Sequence, residues 1–431
     1  MDLPHGEILL YVIHHLGRPK FYSDVRMNAN SLWAEYSETN TRSPRNSRSP
    51  LPFGCVSSIK FLLMRIVPRL FKPLLALTLL GALPFLASAQ DPKPQIKAEI
   101  DRLKQSLQEK PLKNPDFPDI QSMVTSAVNA AAEALDSGNM YLALERLLQA
   151  EDLFHGAHAV VDKADAVKSS LPAFEVEWEK ASQNLNSLND EARKKDWKSA
   201  PLAIRALAET AEGRSIPLLE GGRGFATSTK PTDGLFYIGQ AQGEATFAKF
   251  SSTLLLAGNS ASFPLRSFLP ELQKLQEKTN AAFKPPASID LHPRFIALNS
   301  ALKLAEELDA QKLYAGALYQ YLEATRHFAM LEARPLDAAR QSTLKSDLAA
   351  AQKKFAASKQ DDSLARLFLE RAASQTVHPD GSAPSADEWR SARIILDQVL
   401  PAYFAAKKPA SPLLQASGKT VGLTLVRWPY T

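Results

Sequence analysis

Cysteine is nearly missing from this 431-residue chain: there is one, Cys55. A single thiol excludes an intrachain disulfide framework and any cysteine-built metal cluster. Excess charge is missing too, although the formal net charge of +5 suggests a basic protein. Residues 1–89 hold ten of the 51 basic and five of the 46 acidic residues, so the rest of the chain carries 41 of each. A neutral chain lacks the basic footprint that phosphate backbones require, and no nucleic-acid partner is expected. Long apolar runs are absent as well. The longest, Leu74 to Leu86, is interrupted by Pro84 and falls short of the ~20 residues that cross a bilayer, so no stable membrane span is expected. No serine stands in a Gly-x-Ser-x-Gly elbow. What remains, 45% hydrophobic and 23% charged residues, is the composition of an ordinary folded protein.

The apolar run at 74–86 fits a different role. Arg65, Arg69 and Lys72 precede it and Ala87-Ser88-Ala89 follows it, which is the order of a secretory signal peptide starting at Met64. Cleavage is expected before Gln90, giving a periplasmic or secreted protein without cysteine. Residues 1–63 show no sustained period and read as a misassigned start or a disordered extension. Cys55 lacks the preceding apolar run of a lipid-modified cysteine.

Beyond Gln90 apolar residues recur at three and four, as in Ile96, Ile100, Leu103 and Leu107, the mark of amphipathic helices. Helices are expected over about 94–110, 118–136, 139–158, 172–193, 197–212, 233–257, 265–283, 293–309, 311–332, 336–358, 362–376 and 385–406. Proline and glycine punctuate the breaks, as at Ser137-Gly138 and Pro285-Pro286. The stretch Gly213 to Gly234 is glycine-rich and polar, and is expected to be a loop of the length that often carries function. Gly239 and Gly243 follow one turn apart in a helix, where each costs about 1 kcal/mol, so close backbone packing is expected there. In the tail, Thr420 to Arg427 alternates in a strand-like way.

An internal repeat organises the chain. Val124-Thr125-Ser126-Ala127-Val128, Ala134-Leu135-Asp136 and Tyr141 return as Leu298-Asn299-Ser300-Ala301-Leu302, Glu307-Leu308-Asp309 and Tyr314, at offsets of 173 or 174. The expected layout is a first helical half at 90–212, a glycine-rich loop and connecting helix at 213–264, a second half at 265–408 and a tail at 409–431. Within the halves, Ala143, Leu147 and Ala150 share a spacing with Ala200, Ile204 and Leu207, with Ala317, Tyr321 and Ala324, and with Ala365, Leu369 and Ala372. With Gly138-Asn139 opening the turn before Ala143, this pattern resembles the second helix of tetratricopeptide repeats. The first-helix Trp, Leu-Gly and Tyr pattern of that family is missing. The resemblance implies an all-α fold of stacked helical hairpins, α-solenoid-like, in two related halves, with a concave face for a protein or peptide.

Chemistry is sparse. Glu151, His155 and His158 lie at i, i+4 and i+7 of one helix and are the best-placed candidates for a metal, but no fourth ligand can be named and no metal or cofactor is expected. The run Gly221-Gly222-Arg223-Gly224 with Lys230 invites a phosphate-loop reading, which Pro231 after the lysine breaks. His292, His327 and His378 have no partner near in sequence. Charged residues such as Glu145-Arg146 read as a solvated helix face, and Trp178, Trp197, Phe268, Tyr314, Tyr321, Trp389 and Tyr403 read as packing. The expected function is a non-enzymatic scaffold binding an envelope protein or peptide. The alternative is an all-helical enzyme or small-molecule binder with a site between the halves near residues 213–244, using Arg223 or Glu244.

Overall fold

A computed structural model describes residues 91–407, apart from 115–116, 198–199, 255–262, 286–287, 333–335, 358–359 and 379–380. The expected signal segment, residues 1–63 and the strand-like tail lie outside the described residues. Those that are described form an all-helical fold: α1 (Lys93–Glu109), α2 (Ile120–Asp136), α3 (Met140–Val167), α4 (Leu171–Arg193), α5 (Leu202–Ser228), α6 (Pro231–Ser251), α7 (Leu269–Ala282), α8 (His292–Ala310), α9 (Tyr314–Glu332), α10 (Ala338–Ala356), α11 (Ser363–Ser374), α12 (Ala386–Ile394) and α13 (Leu400–Ala406). A π-helical segment, Ile395–Val399, joins α12 and α13 into one rod. Among the described residues no helix is long and apolar enough to cross a membrane.

The repeat has a structural counterpart. At the α2–α3 turn Asn139 N–H donates to Ala134 O, and at the α8–α9 turn Leu313 N–H donates to Leu308 O. Both turns place their penultimate residue in the left-handed region, Gly138 at φ 79° and Lys312 at φ 63°. Glycine adopts this freely; Lys312 does so against steric preference because the same closing bonds impose it. The register is therefore 174 throughout the hairpin, and Ala315, not Tyr314, is the counterpart of Tyr141. Farther up the chain, Ile96, Ile100, Leu103 and Leu107 on α1 are buried at the spacing of Phe268, Leu272, Leu275 and Thr279 around α7.

The two halves also touch each other directly. In a solenoid each repeat touches only its neighbours, whereas here the halves clasp each other reciprocally. Glu370 on α11 accepts a hydrogen bond from Leu142 N at 2.9 Å, at the start of α3. Glu209 on α5 accepts from Ala315 N at 2.7 Å and Gly316 N at 3.0 Å, at the start of α9. Ala315 and Gly316 are the 174-shifted equivalents of Tyr141 and Leu142, so each half caps the other's second hairpin helix. This is the self-complementary pattern of a two-fold axis, realised within one chain. A helix N-terminus leaves its first N–H groups unpaired and carries positive partial charge, which is what a buried carboxylate needs.

Residues 213–228 are helix, not loop. Composition misleads here because Gly213 and Gly222 serve close crossings: a side chain on Gly213 would run into Leu308, and one on Gly222 would sit 2.9 Å from Gly234 O. The segment is the second half of α5, which carries Pro217 in its interior, and α6 follows with only Thr229-Lys230 between them. Tertiary contact has overridden weak local propensity. The expectation for Gly239 and Gly243 is met: Cβ atoms there would meet the backbone of α3, 2.6 Å from Gly156 Cα and 2.6 Å from Glu151 O respectively.

Ala143 and Ala317 are both fully buried. Replacing either with Leu is expected to overpack its contact and cost typically 1–3 kcal/mol in thermal denaturation, while Gln105→Leu, on an exposed face of α1, should change stability by under about 0.5 kcal/mol.

Candidate functional site

The sequence candidates are only partly brought together. Glu151 is buried and accepts from Arg102 Nη2 at 2.7 Å, with His155 Nε2 at 3.2 Å. Burial pushes its carboxyl up, but His155 and Arg102 outweigh that and leave it below the ordinary range. His158 turns away to Asp162, 3.6 Å off, and packs its ring 4.4 Å from that of Phe154. The helical spacing holds, yet the three side chains do not converge, and no group of three metal-binding side chains occurs among the described residues. Arg223 and Glu244 also separate. Arg223 lies at the surface, 4.7 Å over the Trp178 ring and bonded to Glu175, while Glu244 is fully buried beside Arg214. Next to Arg223, Gly222 packs backbone to backbone against Gly234.

The densest chemistry lies on the pseudo-two-fold axis itself. Glu145, read from sequence as solvent-facing, is 5% exposed. It meets its own 174-shifted counterpart: Tyr319 donates its hydroxyl hydrogen bond to Glu145 Oε1. Arg371, from α11, reaches into the same place. Its Nη2 pairs with Glu145 and donates to the Tyr319 hydroxyl at 3.1 Å, its Nε donates to Glu145 Oε2 at 3.3 Å, and its Nη1 pairs with Glu323. Arg326 bonds the other oxygen of Glu323 at 3.1 Å. Although burial opposes charge on Glu323, Arg371, Arg326 and His327 hold its carboxyl down at about 2. His327 is kept neutral, pushed down to about 3 by burial and by Arg326. Burial and the Glu145 carboxylate drive the Tyr319 hydroxyl well above its ordinary value. The carboxylate oxygens of Glu145 and Glu323, the Arg371 guanidinium and the Tyr319 hydroxyl are all engaged with one another or with Arg326, which makes the cluster a lock between halves.

Comparison with protein families, with curated proteins and with solved structures finds no match for the chain.

His378 does have partners, contrary to expectation: Ser382 Oγ lies 2.7 Å from Nδ1 and Glu388 Oε1 3.0 Å from Nε2. The order resembles a nucleophile, base and acid, but Glu388 also closes a capping box with Ser385 at the start of α12. That box, together with the Gly381 N–H to His378 O turn, accounts for the arrangement as a helix-start lock. Of the aromatics read as packing, Phe268 and Tyr403 are buried, whereas Trp389 is half-buried and lines an open groove of about 340 Å³ with Ala338, Gln341, Ser342 and Lys345. The Lys345 ammonium sits 5.8 Å from the centre of its ring.

Arg371, Glu323, Glu209 and Glu370 were not legible as site residues. The one available signal was α11 itself, where Glu370 and Arg371 sit among Leu364, Leu367, Phe368 and Leu369, so that charge had to go inward. Glu370 and Glu209 differ in one respect. Arg205 bonds Glu209 at 2.6 Å, but Arg366, four residues before Glu370 as Arg205 is before Glu209, lies over the Tyr141 ring at 5.2 Å. Burial accordingly lifts the Glu370 carboxyl to about 7, against the Leu142 N–H and Arg366. A raised carboxyl binds its proton more tightly folded than unfolded, so Glu370 makes stability fall as pH rises from about 4.5 to about 7. Glu370→Gln, whose amide oxygen still accepts from Leu142, should remove that fall, raising stability at about pH 8 by on the order of 2 kcal/mol in denaturant titrations.

Proposed function

We propose that this is an exported, non-enzymatic helical protein that binds a protein or peptide partner in the cell envelope. The observation that carries the reading is the groove between α10 and α12. It is an open concavity with a tryptophan wall, a lysine over the indole, and the polar groups of Gln341 and Ser342 beside small Ala338. Half-exposed tryptophan flanked by hydrogen-bonding groups is the composition of a binding hot spot. The interior adds support, because Glu145, Glu323 and Arg371 are spent on holding the halves together. Repeated helical hairpins, the feature the chain shares with tetratricopeptide repeats, serve the same purpose of presenting helix faces to a partner. Export rests on the Met64 to Ala89 sequence pattern. Mass spectrometry of the native protein should find Gln90 at the N-terminus.

The test is capture from envelope extract with the tagged full chain, alongside Trp389→Ala and Lys345→Glu variants of unchanged melting temperature. A specific partner lost in both variants supports the reading. Recovery of no specific partner, or capture undiminished by both substitutions, contradicts it.

A further inference from the structure

Two carboxylates are buried where α6 crosses α3. Gly239 and Gly243 bring these backbones into contact, and next to Gly243 the side chain of Glu244 is 0% exposed, with Asp152 of α3 at 1%. Arg214 of α5 serves both: Nη1 is 2.9 Å from Glu244 Oε1 and Nη2 is 3.5 Å from Asp152 Oδ2. Gln240, one turn before Glu244, donates to Asp152 Oδ2 at 3.3 Å. Proximity is not matched by hydrogen-bond geometry. Both Glu244 oxygens, Asp152 Oδ1 and Gln240 Oε1 are buried without a hydrogen-bond partner.

Two buried carboxylates sharing one guanidinium leave a surplus negative charge, which is costly in a low-dielectric interior unless one acid stays neutral. A proton on Glu244 removes the surplus. It also creates an O–H donor in a cluster that is otherwise rich in acceptors and short of donors. We propose that Glu244 holds a proton in the folded protein and that the α3–α6 crossing is a proton-sensitive joint, tight while Glu244 is neutral and loosened when it ionises.

Burial drives the Glu244 carboxyl well above its ordinary range, with Arg214 opposing and Asp152 adding to the rise. Burial also lifts Asp152 to about 6, against Arg214, Gln240 and His155. Of the other ionisable groups around α6, His155 acts on Asp152 as well as on Glu151, and the rest are engaged elsewhere. On α3, Glu151 and His155 pair with each other and Glu151 with Arg102. On α5, Glu212 pairs with Arg193, and Arg223 with Glu175 of α4. Tyr319 of α9 acts on Arg214, and Lys249, near the end of α6, pairs with Glu191 of α4 at 2.8 Å. None of these supplies a second cation to Glu244. Because the folded state keeps the proton to higher pH than the unfolded state does, the joint makes stability fall as pH rises above the ordinary carboxylate range.

The test uses the full chain carrying Glu370→Gln, so that Glu370 contributes nothing. Melting temperature is followed from about pH 5 to about pH 9, with and without Glu244→Gln. The parent should lose several degrees across that range. Glu244→Gln should flatten the fall and be the more stable protein at the alkaline end. Infrared spectroscopy of protein with isotope-labelled glutamate gives a second readout: the parent at neutral pH should show a neutral carboxylic-acid carbonyl band that Glu244→Gln removes. Should Glu244→Gln not fold, the parent band decides alone. A parent with a flat melting profile, no such band, or a band that survives Glu244→Gln overturns the proposal.

Discussion

Arg371→Met lowers the stability of the folded chain by about 3–5 kcal/mol, the largest loss expected from any single side chain here. Methionine fills much of the space, so the cost is mainly electrostatic. Glu145 and Glu323, 5% and 8% exposed, are left without the guanidinium that pairs with both, and Tyr319 loses the donor to its hydroxyl. Arg326 still reaches Glu323, which leaves Glu145 as the stranded charge. Glu145→Gln should therefore recover a substantial part of the loss when added to Arg371→Met, while on its own it weakens the protein. Such non-additivity is the sign of one network rather than two contacts. Chemical denaturation of the four proteins measures it, and a cost below about 1 kcal/mol for Arg371→Met would place Glu145 in contact with water.

Glycine replacements on α5 and α6 should move stability in opposite directions. A Cβ on Gly239 collides with the His155 carbonyl oxygen and lies 2.6 Å from Gly156 Cα. These are backbone atoms that cannot swing aside, so Gly239→Ala must push α6 off α3 and should cost about 3 kcal/mol or more. Gly224 has nothing within 4 Å of such an atom and sits inside a helix. Gly224→Ala should stabilise by about 0.5–1 kcal/mol, through helix propensity alone. Melting temperatures of the two variants check both signs, and a neutral or harmful Gly224→Ala would argue that residues 221–228 are not helical.

Helix positions were legible because they rest on local information. Apolar spacing and proline or glycine breaks place α1 to α4 and α7 to α13 within a few residues of their observed ends, although α3 runs on to Val167. The α5 segment failed because glycine carries opposite meanings in a loop and at a helix crossing, and only the partner helix distinguishes them. Gly213 against Leu308 is a contact between residues far apart in the chain. Glu145 failed for the same reason. A glutamate followed by arginine looks solvated until a second arginine arrives from α11, 226 residues away. The internal repeat was visible, but its consequence was not: equivalent positions in the two halves, such as those starting α3 and α9, meet carboxylates from opposite halves. Stacking in a row and clasping about an axis share the same hairpins and the same periodicity.

The reciprocal clasp is tested most directly by native-state hydrogen exchange at the amides of Leu142, Ala315 and Gly316, the donors to Glu370 and Glu209. If the halves form one cooperative unit, these helix-start amides, which would normally fray, exchange only through global unfolding, with the same opening free energy as Leu147 and Leu318 in the interior. Exchange on the order of a hundredfold faster than those interior amides, by local opening at either helix start, would show that the halves separate without unfolding and would contradict the clasp.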